Sequence, residues 1–274
     1  MLSCPSVDGV RLATPEDLYR ISIVAAAAFF WSPTFRFQRP HYKDFPSDTI
    51  ASYFYDYEKA IKDPASVVFV AEDVVEENEA DNVYEELRYA YTSQTPGIKG
   101  LVGVCSVLLK PGSCYIGCFQ PGDGLVHSAQ HGISDLKRDH STEALDIYTT
   151  ITTPSKLKHL QGIMRLSTLA VAPAYWRRGH ASKLVRFCSQ LADMDSAVLG
   201  VSATPLGTTV VCKAGFQERA HIRYTRPKQQ KRRYAANTAD IELWIGLRLP
   251  GSTPFSCSVA SPLESPTCHM QPQP

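Results

Sequence analysis

One stretch of the chain, residues 166–192, restricts the possible folds more than any other. Leu166 to Val171 predicts a buried strand, and Ala172 to Gly179 predicts a turn. The residues after the turn carry an apolar face at helical spacing, formed by Ala181, Leu184, Val185, Cys188, Leu191 and Ala192. A strand, a turn and an amphipathic helix in this order are typical of layered α/β folds.

The turn itself has the properties of an anion site. Gly179 can adopt a positive φ and lets the backbone approach a ligand closely. The helix that follows begins with unsatisfied N–H groups and a partial positive charge, which suit a pyrophosphate, and Arg177 and Arg178 add charge beside it. The spacing excludes a Walker P-loop, because no Gly-Lys-Ser/Thr follows, and it excludes the Gly-x-Gly-x-x-Gly dinucleotide fingerprint.

Predicted elements on both sides of this stretch complete an α/β pattern. Val10 to Ala13 predicts a short strand, and Thr14 to Asp17 predicts a capped helix start. The other predicted elements are an irregular loop at 31–46, a helix at 47–62, strands at 66–71, 98–109 and 197–203, a helix ending at Lys213, and an antiparallel pair at 216–224 and 240–249. Gly100 and Gly103 favour a bulge in the strand at 98–109.

We expect a single domain at 8–249, with two insertions that interrupt this pattern and a tail that follows it. The first insertion, at about 72–97, begins with eight acids and no base between Glu72 and Glu86, so we expect a solvated, partly helical segment. The second, at about 111–163, is rich in Gly, Pro, Ser, Thr and His. The Ser/Pro-rich residues 250–274 predict a disordered tail.

Several motifs together resemble the GCN5-related N-acetyltransferase superfamily. Trp176-Arg177-Arg178-Gly179-His180-Ala181 resembles the acetyl-CoA pattern Gln/Arg-x-x-Gly-x-Gly/Ala, with Gly179 and Ala181 matching and Trp176 departing. Ala203 to Gly207 and Lys213-Ala214-Gly215-Phe216 are similar to the family's later strand, helix and Gly-Phe ending. The resemblance covers roughly residues 8–72, 98–110 and 164–249, and the stretch 31–64 looks like a fungal acetyltransferase-like subgroup.

This resemblance implies a fold, a co-substrate and a set of binding residues. The fold is a mixed, mostly antiparallel sheet flanked by helices, and the reaction is direct attack of an acceptor, most simply a primary amine of a small molecule or peptide, on the thioester of acetyl-CoA. The strand at 166–171 would pair with the pantetheine arm, and the helix start would hold the pyrophosphate. The residues implied to contact the co-substrate are Leu169, Ala170, Val171, Arg177, Arg178, Gly179, His180, Ala181 and Ser182.

The catalytic residues are not identified by the resemblance. Family members often carry a tyrosine two residues before the position of Lys213, where this chain has Val211, which cannot donate a proton. No Asp or Glu lies on the strands at 166–171 or 197–203, so no base is evident. Two alternatives therefore remain beside an active N-acetyltransferase: an acyl-CoA-binding relative with weak or no turnover, and an interaction protein that uses the basic loop 226–233.

Composition limits the remaining function classes. Lys plus Arg is 28 and Asp plus Glu is 27, a net charge of +1, which disfavours general binding of nucleic acid. No apolar run is long enough to span a bilayer, and the eight scattered cysteines favour a reducing cytosol, with a nuclear location left open by the basic loop. Cys114, Cys118, His127 and His131 have a short, glycine-rich spacing, so we expect no zinc site and no other metal.

Overall fold

The computed structural model describes residues 5–93, 95–120, 136–225 and 241–252. These residues form a seven-stranded sheet in the order β1-β2-β3-β4-β5-β7-β6. The strands are β1 (Val10–Leu12), β2 (Ser66–Val74), β3 (Lys99–Leu108), β4 (Met164–Val171), β5 (Leu199–Ala203), β6 (Gln217–Tyr224) and β7 (Ile241–Arg248). Only β4 and β5 run parallel among these strand pairs, which confirms the predicted mixed, mostly antiparallel α/β sheet.

Helices cover both faces of the sheet. They are α1 (Leu18–Phe29), α2 (Pro33–Gln38), α3 (Pro46–Lys62), α4 (Thr142–Leu160), α5 (His180–Met194) and α6 (Pro205–Lys213). Cys105 of β3 meets Cys188 of α5, whereas its neighbour Ser106 faces Thr168 and the α3 side, so α3 and α5 lie on opposite faces. In the described part of the chain no helix is both long and apolar enough to cross a membrane.

The core explains why most predicted elements are found. α1 buries nearly its whole length, and α5 buries Leu184, Val185, Cys188 and Leu191 against the sheet, as their helical spacing predicts. Gly215 has a φ of +89° directly after α6, as predicted for a helix end. The bulge predicted in β3 is also present, because Ala71 pairs with Gly103 and Glu72 with Leu101, which leaves Val102 without a partner in β2.

The stretch 31–46 is not wholly irregular, contrary to our expectation. It contains α2, which begins after Ser32 with Pro33 at the first helical position. Phe35 and Phe37 of this short helix are buried. The aromatic residues that suggested a loop therefore form a helix that tertiary packing stabilises.

The expectation of a solvated first insertion is also wrong in part. β2 extends to Val74, and the segment continues in two 3-10 helices, Glu79–Asn82 and Glu85–Ser93. Apolar residues between the acids pack against α1, namely Val83, Tyr84, Leu87, Ala90 and Tyr91. Glu79 is 3% exposed and lies 2.7 Å from the guanidinium of Arg20. The acidic run is thus amphipathic rather than fully solvated.

The second insertion contains the longest described helix, α4, which the composition did not indicate. Ser141 caps α4 by accepting from the Ala144 amide, and Pro154 lies inside it. Before the helix, Arg138 makes paired hydrogen bonds of 2.8 and 2.9 Å to Asp48 of α3. Asp139 is fully buried and bonds Arg39 and Thr49. These contacts fix the insertion to the start of α3.

Candidate active site

A cleft opens where β4 and β5 part. Thr168 pairs with Ser106 and Leu166 pairs with Val107, so Ser167 is an extra, bulged residue in β4. The parallel pairing of β4 with β5 stops at Leu166 and Val201. Beyond the bulge, β4 therefore continues to Val171 with its β5 side unpaired.

The free edge of β4 presents backbone groups from alternate residues. The Ala172 amide donates to the Val102 carbonyl at 2.8 Å, so the backbone groups of Ala172 face β3. Because backbone groups in an antiparallel pair alternate in direction, those of Val171 and Leu169 face the cleft. These are the two residues that the resemblance assigns to the pantetheine arm.

The cleft has a volume of about 780 Å³ and brings most of the predicted residues together. The predicted residues that line it are Leu169, Ala170, Val171, Arg177, Gly179, His180, Ala181 and Ser182. Ala28, Phe29 and Ser32 line it from the end of α1, and Lys213 lines it from α6. Sequence reasoning did not assign Ala28, Ser32 or Lys213 to the site, because only the tertiary structure places α1 and α6 across from β4.

The start of α5 lines one end of the cleft and has features that suit an anion. Gly179 has a φ of +89° and precedes the helix, and Arg177 also has a positive φ of 64°. A Cβ added at Gly179 would meet no atom within 4 Å, so the glycine is needed for its backbone conformation and leaves open space. The first amides of α5 thus supply positive charge at this end, and Arg177 and Lys213 are the arginine and lysine residues that line the cleft in the described chain.

Arg178 and His180 contribute differently from our expectation. The Arg178 guanidinium bonds Glu76, lies 3.9 Å from Asp73 and does not line the cleft. The His180 imidazole is 5% exposed and its Nε2 lies 2.9 Å from Asp73. Burial alone would raise the pKa of Asp73, but the Val74 amide, His180 and Arg178 lower it, so the carboxylate stays charged. The acidic insertion therefore neutralises Arg178.

A network of buried hydrogen bonds holds the turn at 172–179 against the first insertion and α1. The Tyr175 hydroxyl donates to Glu79 at 2.9 Å and accepts from the Glu76 amide at 3.1 Å. Glu79 in turn pairs with Arg20 of α1. Burial, partly opposed by the Glu76 amide and reinforced by Glu79, raises the pKa of Tyr175 to about 12, so its phenol remains a donor at neutral pH.

Trp176, which departs from the family pattern, occupies part of the β4 edge. Its indole Nε1 donates to the Val171 carbonyl at 2.6 Å. Its ring meets Trp31 edge-on at 5.9 Å between centroids, and both tryptophans are more than a third exposed. One of the backbone acceptors assigned to the pantetheine arm is thus already bonded by a side chain.

Three hydroxyl groups meet at the opposite end of the free β4 edge. The Tyr57 hydroxyl donates to Thr168 Oγ1 at 3.0 Å, and Ser106 Oγ lies 2.7 Å from the same atom. Burial raises the pKa of Tyr57. No local pattern points to Tyr57, because it lies on α3, far along the chain from β4 and β5.

Val211, the residue at the family's tyrosine position, is 1% exposed and packs in the main core. It does not line the cleft, whereas Val210 and Lys213 of the same helix do. A tyrosine placed there would overpack the core. No carboxylate is found among the lining residues of the described chain.

Two of the four residues that were weighed as zinc ligands, Cys114 and Cys118, lie in the described chain. Cys114 lies 3.6 Å from Asp195, and Cys118 lies beside the Cys114 carbonyl. His127 and His131, like the basic loop 226–233 and the tail from 253, lie outside the described residues. Within the described ranges no group of three or more His, Cys, Asp or Glu residues could hold a metal ion.

The chain is similar to proteins named acetyltransferases, although it matches no protein-family model. An acetyltransferase of the fungus Stachybotrys chartarum is 26% identical over 213 residues, 78% of this chain and 82% of that protein. The fungal source agrees with the expected subgroup.

Solved structures with similar overall shape are acetyltransferases as well. A histone acetyltransferase HPA2 and related acetyltransferase from Corynebacterium glutamicum gives a TM-score of 0.48 at 17% identity, covering 91% of this chain and 99% of that chain. A paia N-acetyltransferase from Thermoplasma acidophilum in complex with coenzyme A gives 0.43 at 10% identity, covering 89% and 99%.

Proposed function

We propose that this chain is an acetyl-CoA-dependent enzyme of the GCN5-related N-acetyltransferase superfamily and that its acceptor is a primary amine of a small molecule or peptide. The amine attacks the thioester directly, without an acetylated enzyme. The observation that carries the proposal is the parting of β4 from β5 after the Ser167 bulge, because it creates a strand edge on which an extended amide ligand can pair.

The features of the cleft support one direction for bound acetyl-CoA. The pyrophosphate would lie on the first amides of α5, beside Arg177 and Lys213. From there the pantetheine arm would run along β4 from Val171 to Leu169, pairing with the backbone groups that face the cleft. The thioester would then arrive beside Thr168, where β4 and β5 separate.

The chemistry at that point is acyl transfer through a tetrahedral intermediate. The amine nitrogen forms a bond to the carbonyl carbon, and the carbonyl oxygen becomes an oxyanion that a main-chain N–H of β4 can stabilise. The C–S bond then breaks, the sulfur leaves with the electron pair as a thiolate, and the nitrogen loses one proton to solvent, which leaves the amide. Because a free thiol has a pKa of about 8.5, its thiolate is a tolerable leaving group near neutral pH.

Two measurements test this proposal. Calorimetric titration with acetyl-CoA should give stoichiometric binding, and Gly179→Glu should weaken it strongly. A thiol-release assay with a panel of primary amines, with products identified by mass spectrometry, should then give acetylated amines. Binding without thiol release from any amine would indicate a relative without turnover. Absence of binding in a folded protein would contradict the co-substrate.

A further inference from the structure

We propose that a groove beside the second insertion binds a medium-chain aliphatic carboxylate, the anion of a fatty acid. The groove lies between α4 and the chain that follows β3. In the described chain it shares no lining residue with the cleft at β4 and α5. It gives the protein a second ligand site, and the inference does not depend on the proposed acetyl transfer.

Segments that are distant in sequence build the groove. The end of β3 at Leu108 and the start of β4 at Arg165 are cross-strand partners, and both residues line it. α4 contributes from one side of these strands, and Pro111 and Ile116 contribute from the chain after β3. Because these last two residues and α4 belong to the second insertion, the groove is a product of that insertion.

Most of the lining is aliphatic. The aliphatic residues of the lining are Ala65, Leu108, Leu109, Pro111, Ile116, Leu157, Leu160 and Ile163. Leu157 is 55% exposed and Ile116 is 42% exposed, and neither belongs to a hydrophobic cluster in the described chain. An aliphatic chain in the groove would remove both side chains from water, which the hydrophobic effect favours.

The charged part of the lining is cationic. It consists of Lys110, Lys156 and Arg165, without an Asp or Glu among the described residues that line the groove. Arg165 is half-buried, and its guanidinium makes no hydrogen bond or ion pair within the described ranges. A carboxylate would satisfy this guanidinium with two parallel hydrogen bonds, the geometry that its planar fork prefers.

The two lysines are already engaged, so Arg165 is the residue that selects an anion. Lys110 Nζ donates to the Asp195 carbonyl at 2.6 Å and lies 3.8 Å from the Asp195 carboxylate, which offsets its charge. Lys156 Nζ donates to the Tyr148 hydroxyl at 3.0 Å, and this neutral partner leaves the ammonium charge in place. The groove therefore has excess positive charge beside aliphatic surface, and an anion with an aliphatic chain complements both.

The size of the groove favours a small molecule over a protein partner. Its volume of about 450 Å³ lies within the usual range for small-ligand sites, about 300–1,000 Å³. A stable protein–protein interface instead buries about 1,200–2,000 Å². One guanidinium fork matches one carboxylate, so a single alkyl carboxylate is the occupant that fits.

Calorimetric titration of the full chain with decanoate, below its micellar concentration, tests the charged part of the site. The wild type should bind decanoate stoichiometrically. Arg165→Met keeps the aliphatic stem and removes the charge, so the affinity should fall about 10-fold or more. Lys158→Met removes an exposed cation of α4 that does not line the groove, and this matched control should bind like the wild type.

The aliphatic part of the site is tested with the same titration. Leu157→Asn should weaken decanoate binding about 3-fold or more, because it removes apolar surface that the ligand covers. Leu249→Asn changes a side chain of similar exposure outside the groove and should leave the affinity unchanged. Octanoate, which is shorter by two methylenes, should bind the wild type about 4- to 15-fold more weakly than decanoate.

Two further titrations of the wild type fix the head group and the location. Decyltrimethylammonium has the same chain and a cationic head that an acetyltransferase does not modify, and it should bind about 10-fold or more weaker than decanoate. Saturating CoA should leave decanoate affinity unchanged, because the groove and the cleft share no described lining residue. If Arg165→Met does not fold, the comparison of the two head groups decides the role of charge.

Several results would overturn the proposal. They are no decanoate binding by the folded wild type, equal affinities for the anionic and cationic probes, loss of decanoate binding in the presence of CoA, and unchanged affinity in a folded Arg165→Met variant. Dimerisation that Leu157→Asn abolishes, seen by analytical ultracentrifugation without decanoate binding, would assign the groove to a second copy of the chain instead. A wild type that binds decanoate but never acetylates an amine would contradict the proposed function alone.

Discussion

The two ends of the cleft are built from different materials. The end proposed for the pyrophosphate, called the phosphate end below, consists of backbone from one continuous segment, with Gly179 in a left-handed conformation before α5. The end proposed for the thioester, called the reacting end below, lies beside a cluster of side-chain hydroxyls from α3, β3 and β4, with Tyr57 and Thr168 separated by 111 positions along the chain. A site made of local backbone leaves a motif in the sequence, whereas a site made of distant side chains leaves none.

The two insertions contact different ends of the cleft. The first insertion supports the phosphate end, because Glu76 and Glu79 bond the turn residues Arg178 and Tyr175. The second insertion supports the reacting end, because Arg138 and Asp139 bind the start of α3, the helix that carries Tyr57. Each insertion thus braces one end, and damage to one end should leave the other intact.

The largest expected effect comes from removing the support of the phosphate end. Glu79→Ala leaves the buried guanidinium of Arg20 without its carboxylate and Tyr175 without its acceptor, so the free energy of unfolding should fall by about 3–5 kcal/mol. Urea denaturation measures it, with Glu77→Ala as the exposed, matched control. A loss of less than about 1 kcal/mol would mean that the network does not hold the insertion in place.

A negative charge introduced at the phosphate end should weaken acetyl-CoA binding and leave the fold intact. Gly179→Glu places a carboxylate beside the first amides of α5 and strains a φ of +89°, so we expect acetyl-CoA affinity to fall about 100-fold or more. Gly179→Ala separates the two causes, because it adds the strain without the charge and meets no neighbouring atom. Equal affinities for the glutamate variant and the wild type, by calorimetry, would remove the phosphate from this position.

The support of the reacting end should fail in acid. Burial alone would raise the pKa of Asp139, but His140, Arg39 and Thr49 lower it to about 2. A lowered folded pKa contributes stability that is present above pH about 4 and is lost as the pH falls toward 2. Wild-type unfolding free energy should therefore fall over that window by about 2 kcal/mol more than that of Asp139→Asn. Asp44→Asn, which changes an exposed carboxylate, is the control and should unfold like the wild type at every pH. Identical pH profiles for the wild type and Asp139→Asn would show that the charge of Asp139 does not stabilise the contact with α3.

The smallest expected effect concerns Trp176, which lies between the two ends. Trp176→Phe removes the indole N–H that bonds the Val171 carbonyl, so this acceptor becomes available to the pantetheine arm. One hydrogen bond less to displace should tighten acetyl-CoA binding about 2- to 10-fold. Trp31→Phe keeps the aromatic contact and this hydrogen bond, and it should bind like wild type. Weaker binding by Trp176→Phe would mean that the indole helps to hold the ligand.

Local sequence patterns determined the strands and helices that have a regular apolar spacing and the turns that require a glycine. The strand at Met164–Val171, the helix α5 and the closing pair β6 and β7 all follow from short-range periodicity and from Gly179 and Gly215. These features depend on φ, on capping and on which face is apolar, and each is encoded within a few residues. The left-handed turn before α5, where we propose the pyrophosphate, was predictable for the same reason.

Tertiary structure alone decided which polar groups share the cleft and which are removed from it. It turned Arg178 toward Glu76, buried Val211, folded the acidic insertion onto α1 and brought Tyr57 to Thr168. These outcomes depend on contacts between residues far apart in sequence and on the cost of leaving buried charges unpaired. Local sequence carries no record of such pairings, so the reacting end became visible only once α3, β3 and β4 were packed together.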